Sequence, residues 1–242
     1  MDNKNVIQVE NLSKLFGDFI AVNKISFEVK AGEIFGFLGA NGAGKTTAMK
    51  MLIGISKPSS GKASVAGFDV YKQAESIKKN IGYMSQKFAL YDDLTVKENI
   101  NFFGGIYGLS KKQINTKSTE LVEELGLEKV VNSLVASLPL GWKQKLAFSV
   151  SLLHEPKIVF LDEPTGGVDP ITRRQFWELI YKAAHKGTTI FVTTHYMDEA
   201  EYCNRVSIMV NGKIEALDSP KNLKLQYKTN TMNEVFLKLA RG

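Results

Sequence analysis

Cysteine is nearly absent. Cys203 stands alone among 242 residues, so an internal disulfide is excluded and the composition fits a reducing compartment. A single thiol of this kind reads first as a small buried apolar residue. Long apolar runs are also missing: none approaches the ~18 residues that a spanning helix needs. The opening Met1-Asp2-Asn3-Lys4-Asn5 carries no apolar core of a signal peptide. The protein is therefore expected to be intracellular, with any membrane role coming through a partner. Concentrated charge is lacking too. Lys and Arg outnumber Asp and Glu by 31 to 25, but the basic residues are dispersed, in short pairs such as Lys78-Lys79 and Lys111-Lys112. Such pairs suit solvated faces, and no nucleic-acid partner is expected. There is no internal repeat and no low-complexity linker. What remains is an ordinary globular composition, 44% hydrophobic and 23% charged. It is long enough for one large domain, or one domain with an inserted subdomain.

The stretch from Ile34 to Thr47 organises the rest. Ile34, Phe35, Gly36, Phe37 and Leu38 read as a buried strand. Gly39-Ala40-Asn41-Gly42-Ala43-Gly44-Lys45-Thr46-Thr47 follows, and then an apolar run through Met49, Met51, Leu52 and Ile53 opens a helix. In that setting Gly-x-x-x-x-Gly-Lys-Thr has a mechanical meaning. The glycines let backbone N–H groups curl around phosphate oxygens, Lys45 reaches the β- and γ-phosphates, and the Thr46 hydroxyl can bind Mg²⁺. The helix N-terminus adds the positive end of its dipole. A glycine turn with a solvated lysine is the plainer alternative, but the strand before it and the helix after it both favour nucleoside triphosphate binding.

Around this centre, Val6–Glu10 and Ile25–Lys30 alternate at period two, as half-buried antiparallel strands do. Phe16, next to Gly17 on the intervening loop, can either pack in the core or stack on a purine base. A turn cluster at residues 57–61 precedes a short strand from Ala63 to Ala66 and a Gly67-Phe68-Asp69 turn. Residues 81–86 read as a strand ending in the polar Gln86. From 87 to 154 the pattern turns helical, with capping boxes at Thr95–Glu98 and Ser110–Gln113 and a stop at Gly126. Lys157 to Pro164 is a continuous apolar run closed by Asp162 and Glu163, a strand buried on both faces that delivers two carboxylates to the edge of the sheet carrying the glycine loop. Asp169-Pro170 caps the next helix. Thr188–Thr194 is a further central strand with His195 just past its end. Asn211-Gly212 turns a hairpin, and the tail from Lys221 is helical in pattern.

Hydrolysis of a phosphoanhydride needs phosphates held, charge neutralised and a water aligned with the γ-phosphorus. Asp162 is placed to hold Mg²⁺ with Thr46, and Glu163 to orient or deprotonate the water. With these residues in order, the whole chain resembles the ATP-binding subunit of an ABC (ATP-binding cassette) transporter. The resemblance implies an α/β fold: a P-loop NTPase with a mostly parallel sheet, an N-terminal antiparallel β-subdomain and an inserted helical subdomain. Its domains would be residues 1–222, with the insert at about 87–154, and a short helical tail at 223–242. It also implies ATP and Mg²⁺ as cofactors. Phe16 matches the aromatic that stacks on adenine, which selects between the two readings above. Gln86 matches the glutamine that senses Mg²⁺ and the membrane partner, Gly167-Val168-Asp169 falls at the family's D-loop, and His195 matches the switch histidine near the γ-phosphate. His154 and His185 read as structural.

One motif departs. The family signature Leu-Ser-Gly-Gly-Gln aligns with Leu138-Pro139-Leu140-Gly141-Trp142, so Pro139 stands where the γ-phosphate-contacting serine is expected. That leaves the Gly141 N–H and the following helix dipole, with Ser137 or the partner protomer to supply a hydroxyl. This version resembles an ABC-2-type exporter branch. Gly166-Gly167 also departs from the commoner serine in its loop. The implied mechanism is a head-to-tail pair of such subunits, a homodimer by expectation, closing on ATP and driving a separate transmembrane permease from the cytoplasmic face of the membrane, with a lean toward export. The groove around residues 86–94, with Lys87, Phe88, Ala89, Leu90 and Tyr91, is the expected docking place for the permease, as an exposed apolar patch. The rivals are a soluble ABC ATPase acting on a ribosome or DNA, and a P-loop switch without turnover.

Overall fold

A computed structural model of the chain describes residues 4–87 and 90–241. It opens with a long antiparallel ribbon, β1 (Asn5–Phe16) and β2 (Phe19–Lys30), followed by the buried β3 (Ile34–Leu38) and α1 (Lys45–Leu52). β4 (Ser60–Val65), β5 (Phe68–Asp69), α2 (Ala74–Asn80) and β6 (Ile81–Met84) come next. Three helices then intervene: α3 (Val96–Ile106), α4 (Lys111–Leu125) and α5 (Leu140–Ser151). The chain returns through β7 (Ile158–Asp162), α6 (Pro170–His185), β8 (Thr189–Thr194), β9 (Arg205–Val210) and β10 (Lys213–Asp218), and ends in α7 (Pro220–Gln226) and α8 (Met232–Arg241). α7 runs across the boundary expected after residue 222.

The strands form two sheets. A four-stranded sheet runs β2-β1-β4-β5 and is antiparallel throughout. A six-stranded sheet runs β10-β9-β3-β8-β7-β6, parallel except for the β9–β10 hairpin. β3, the strand that feeds the glycine loop, therefore lies inside this sheet between β8 and β9. Such a strand must be apolar on both faces, and every residue of β3, β7 and β8 is buried.

Period-two alternation splits the core in two. Phe35 and Phe37 of β3, Phe160 of β7 and Phe191 of β8 point toward the antiparallel sheet, where they meet Phe27, Ile7, Leu12 and Val22. Ile34, Leu38, Val159, Leu161, Ile190 and Val192 point the other way, onto Phe148 of α5 and Phe176 and Trp177 of α6. The first cluster is strongly aromatic. Phe191 lies 5.3 Å from Phe37, 5.2 Å from Phe160 and 5.7 Å from Phe35 by ring centroids.

Local chemistry explains most element ends. Both capping boxes form, with the Thr95 and Ser110 hydroxyls accepting from the amides of Glu98 and Gln113. Gly126 closes α4 in the left-handed conformation, and Asp169 caps α6 ahead of Pro170. β1 and β2 run well beyond the stretches that alternate cleanly. The register slips between Val9 and Leu12, and Asn11 adopts φ 48°, so the bulge breaks the sequence period while the ladder continues. Helix α2 was not expected: Ile77 is its one buried residue, which leaves no apolar period to read.

Phe191→Ala should lower stability by about 3–5 kcal/mol, because four aromatic rings line the space it would vacate. Urea unfolding should give a lower midpoint with an unchanged slope.

Candidate active site

The glycine loop lies over β2 and the β9–β10 turn. A Cβ at Gly44 would strike the Ala21 carbonyl oxygen, and one at Gly39 would strike that of Met209, so glycine is required at both by close backbone approach. Gly44 also sits at φ 103°, left-handed territory that favours glycine. The turn of the hairpin braces the loop directly: Gly212 N–H donates to Ala43 O at 3.0 Å, and Gly212 O accepts from Asn23 N–H at 2.8 Å. Ala40, Asn41 and Gly42 remain on the surface of the loop, while Lys45 is buried at the start of α1 with Thr46 and Thr47 after it. The Lys45 ammonium donates to Gly39 O at 2.9 Å and Ala40 O at 3.1 Å, and lies 3.3 Å from Glu163 Oε1.

The acidic pair arrives from β7. Asp162 is buried, and its Oδ1 accepts from the Thr46 hydroxyl at 3.2 Å and the Thr193 hydroxyl at 2.7 Å. Its negative charge adds to burial in pushing the nearby Tyr83 phenol up to about 12, so that group stays neutral. Glu163, 9% exposed, follows at φ 49°. Its Oε2 accepts from Gln86 Nε2 at 3.0 Å and lies 2.9 Å from His195 Nδ1, a contact that fits the tautomer with the proton on Nδ1. Lys45, Thr46, Gln86, Asp162, Glu163 and His195 thus form one connected cluster, although they lie up to 150 residues apart in sequence.

Two carboxylates face one ammonium here, so the cluster carries an excess of negative charge that favours a bound cation. The donors Thr46 Oγ1 and Asp162 Oδ1 are hard oxygens, which fit Mg²⁺. A cage of many protein ligands is not needed, since Mg²⁺ usually keeps waters and phosphate oxygens around one or two protein groups.

Two expected residues lie outside the cluster. Phe16 is 55% exposed at the β1–β2 turn, with Lys14 Nζ over its ring at 5.0 Å from the centroid, so the core-packing reading is excluded. Gly141 sits in the first turn of α5 against Thr172 of α6, and a Cβ there would collide with the threonine methyl. It lines a cleft of about 270 Å³ with Leu140, Trp142, Gly167, Val168 and Asp169. The Ser137 hydroxyl donates within its own turn to Leu134 O at 2.7 Å, which engages it locally. His154 is structural: its Nε2 meets Ile81 O at 3.1 Å, its ring stacks on Tyr107, and burial holds its pKa below the ordinary histidine value.

The expected docking groove is only partly exposed. Leu90 is buried in the core, whereas Tyr91 is 51% exposed and meets Phe102 edge-on. Phe88 and Ala89 lie outside the described residues. Among the described residues no helix is long and apolar enough to cross a membrane.

Thr193 was not singled out in the sequence, yet its hydroxyl donates to Asp162 and also accepts from the Glu163 amide at 3.1 Å. The available signal was the Thr193-Thr194 pair of hydroxyl residues closing a strand beside the acidic one. Thr193→Val should cost about 1–3 kcal/mol by leaving Asp162 short of a buried donor. Chemical denaturation should report the loss, and Thr193→Ser should recover most of it.

Residues 22–166 match a family described as "ABC transporter". The "Probable multidrug ABC transporter ATP-binding protein YbhF" of Escherichia coli (strain K12) is 47% identical over 98% of this chain, which spans only 42% of that relative's length. "Nod factor export ATP-binding protein I" of Burkholderia lata is 38% identical over 90% of this chain and 72% of its own. A solved structure described as "Structure of ATP binding subunit of ABC transporter" superposes with a TM-score of 0.86 at 28% identity, covering 97% of this chain and 99% of that one. By fold and sequence together, the chain belongs to the ABC transporter family as one of its ATP-binding cassettes.

Proposed function

We propose that the chain is the Mg²⁺-dependent ATP-hydrolysing subunit of an exporter, working as a homodimer on a separate ABC-2-type permease at the cytoplasmic face of a membrane. The observation that carries this reading is the Glu163 carboxylate, joined to Lys45 of the phosphate loop on one oxygen and to Gln86 and His195 on the other. The names of the two relatives above, a probable multidrug transporter and a Nod factor export protein, support the exporter direction over a soluble ATPase acting on a ribosome or DNA.

In this reading Phe16 stacks on adenine, the amides and small residues from Gly39 to Thr47 wrap the phosphates, and Lys45 gives its charge to the phosphate oxygens. Thr46 and Asp162, with Gln86, would hold Mg²⁺, which neutralises phosphate charge when bound. As the phosphates take over the Lys45 ammonium, Glu163 Oε1 becomes available to a water. Glu163 orients that water and accepts its proton, the water oxygen bonds to the γ-phosphorus, and the bond to the β–γ bridging oxygen breaks to leave ADP and phosphate. His195 keeps Glu163 in place. Gly141, with the dipole of α5, faces the nucleotide of the partner subunit, and Pro139 makes that contact one of backbone alone. Residues 1–222 form the nucleotide domain, the helices within 87–154 its signature-bearing insert, and 223–242 a tail.

Glu163→Gln should reduce phosphate release at least roughly 100-fold while ATP binding persists. The variant should also elute as a dimer with ATP in gel filtration. Turnover at the wild-type rate would remove Glu163 from the mechanism.

A further inference from the structure

Arg173 sits on the first turn of α6, just beyond the Asp169 cap, and points at the loop that follows β8. Its guanidinium carbon lies 4.1 Å from the centroid of the Tyr196 ring. That ring in turn lies 4.2 Å from the His195 imidazole, with the planes tilted by 35°. His195 ends the stack on Glu163 at 2.9 Å.

A second route leaves the same guanidinium. Arg173 Nη1 is 3.5 Å from Asp198 Oδ2, and Nε is 3.5 Å from Glu199 Oε1. Glu199 has no exposed surface, and it accepts a hydrogen bond from the Thr165 hydroxyl, two residues after Glu163. Burial raises the Glu199 pKa, and the Thr165 and Thr194 hydroxyls oppose that rise more than the Arg173 charge does. The next residue, Gly166, is held by Gln144 of α5 through its carbonyl at 3.1 Å.

From this crossing of two routes we infer that Arg173 and Tyr196 are positioning residues for hydrolysis, setting the His195 imidazole against Glu163 and tying that geometry to α6 and the segment after Glu163. Arginine suits the place because it offers a planar face to Tyr196 while its delocalised charge lies beside Asp198 and Glu199 at once. A lysine offers a point charge and no face. The plainer role, neutralising a buried glutamate, requires Arg173 and Glu199 but gives no part to the Tyr196 ring. The ring therefore separates the two.

The inference rests on the proposed hydrolysis, so its test includes a readout free of turnover. Steady-state ATPase kinetics and the imidazole NMR signal of His195, one of three histidines in the chain, are measured for Arg173→Lys, Tyr196→Leu and Tyr196→Phe. We expect Arg173→Lys and Tyr196→Leu to lower kcat roughly ten-fold or more with KM within about two-fold, and to shift the His195 signal. Tyr196→Phe keeps the ring and should restore both. Wild-type kcat in the first two variants, an unmoved His195 signal, or an equal loss in Tyr196→Phe would overturn the inference. If Tyr196→Leu fails to fold, Arg173→Lys with the same two readouts decides. If the wild-type protein hydrolyses no ATP, the functional reading falls by itself, and the His195 signal still decides whether the stack positions the imidazole.

Discussion

The grip on the Glu163 carboxylate is the constraint on which the rest of the molecule depends. Three side chains from three distant segments meet on its two oxygens, and its backbone adopts a left-handed φ that a non-glycine residue occupies only at some cost. What holds it there is β8: the Glu163 amide bonds to both the carbonyl and the hydroxyl of Thr193. A strained residue placed by a rigid neighbour strand is well suited to chemistry, because the side chain is aimed before any ligand arrives.

The fold delivers that arrangement through strand order. β3, β8 and β7 are parallel neighbours, so the glycine loop, His195 and the acidic pair leave the sheet at the same edge. Alternating side chains commit each strand to two cores at once, an aromatic one toward the antiparallel sheet and a mainly aliphatic one toward α5 and α6. A slip of one residue in any of these strands would exchange the two faces and move the site residue at its end.

Much of this was legible in the sequence because it depends on local rules. Glycine spacing, N-caps, the Asn211-Gly212 turn and the apolar run ending in Asp162 and Glu163 each state a conformation within a few residues. Phe16 is ambiguous by local rules, since an aromatic beside a glycine fits two environments, and its exposure at a turn agrees with the choice that the resemblance makes. What was not legible depends on distant neighbours. Thr193 looks like any β-former until β7 is beside it, Leu90 looks like part of a surface groove until the helices cover it, and α2 carries too little apolar surface to announce itself. The bulge at Asn11 hid the full length of β1 for the opposite reason, because a continuous ladder there carries a discontinuous pattern.

The bond from Gly212 to Ala43 ties the phosphate cradle to a turn some 170 residues further along the chain. Local propensity can shape the strand and the helix on either side of the cradle early, but its final curvature waits for the β9–β10 hairpin to dock. Contacts of such long sequence separation are slow to form. A growing chain therefore gives its phosphate cradle a final shape only after residues 205–218 have been made, and a polypeptide stopped short of the hairpin has every signature residue of the cradle without the buttress that sets its shape.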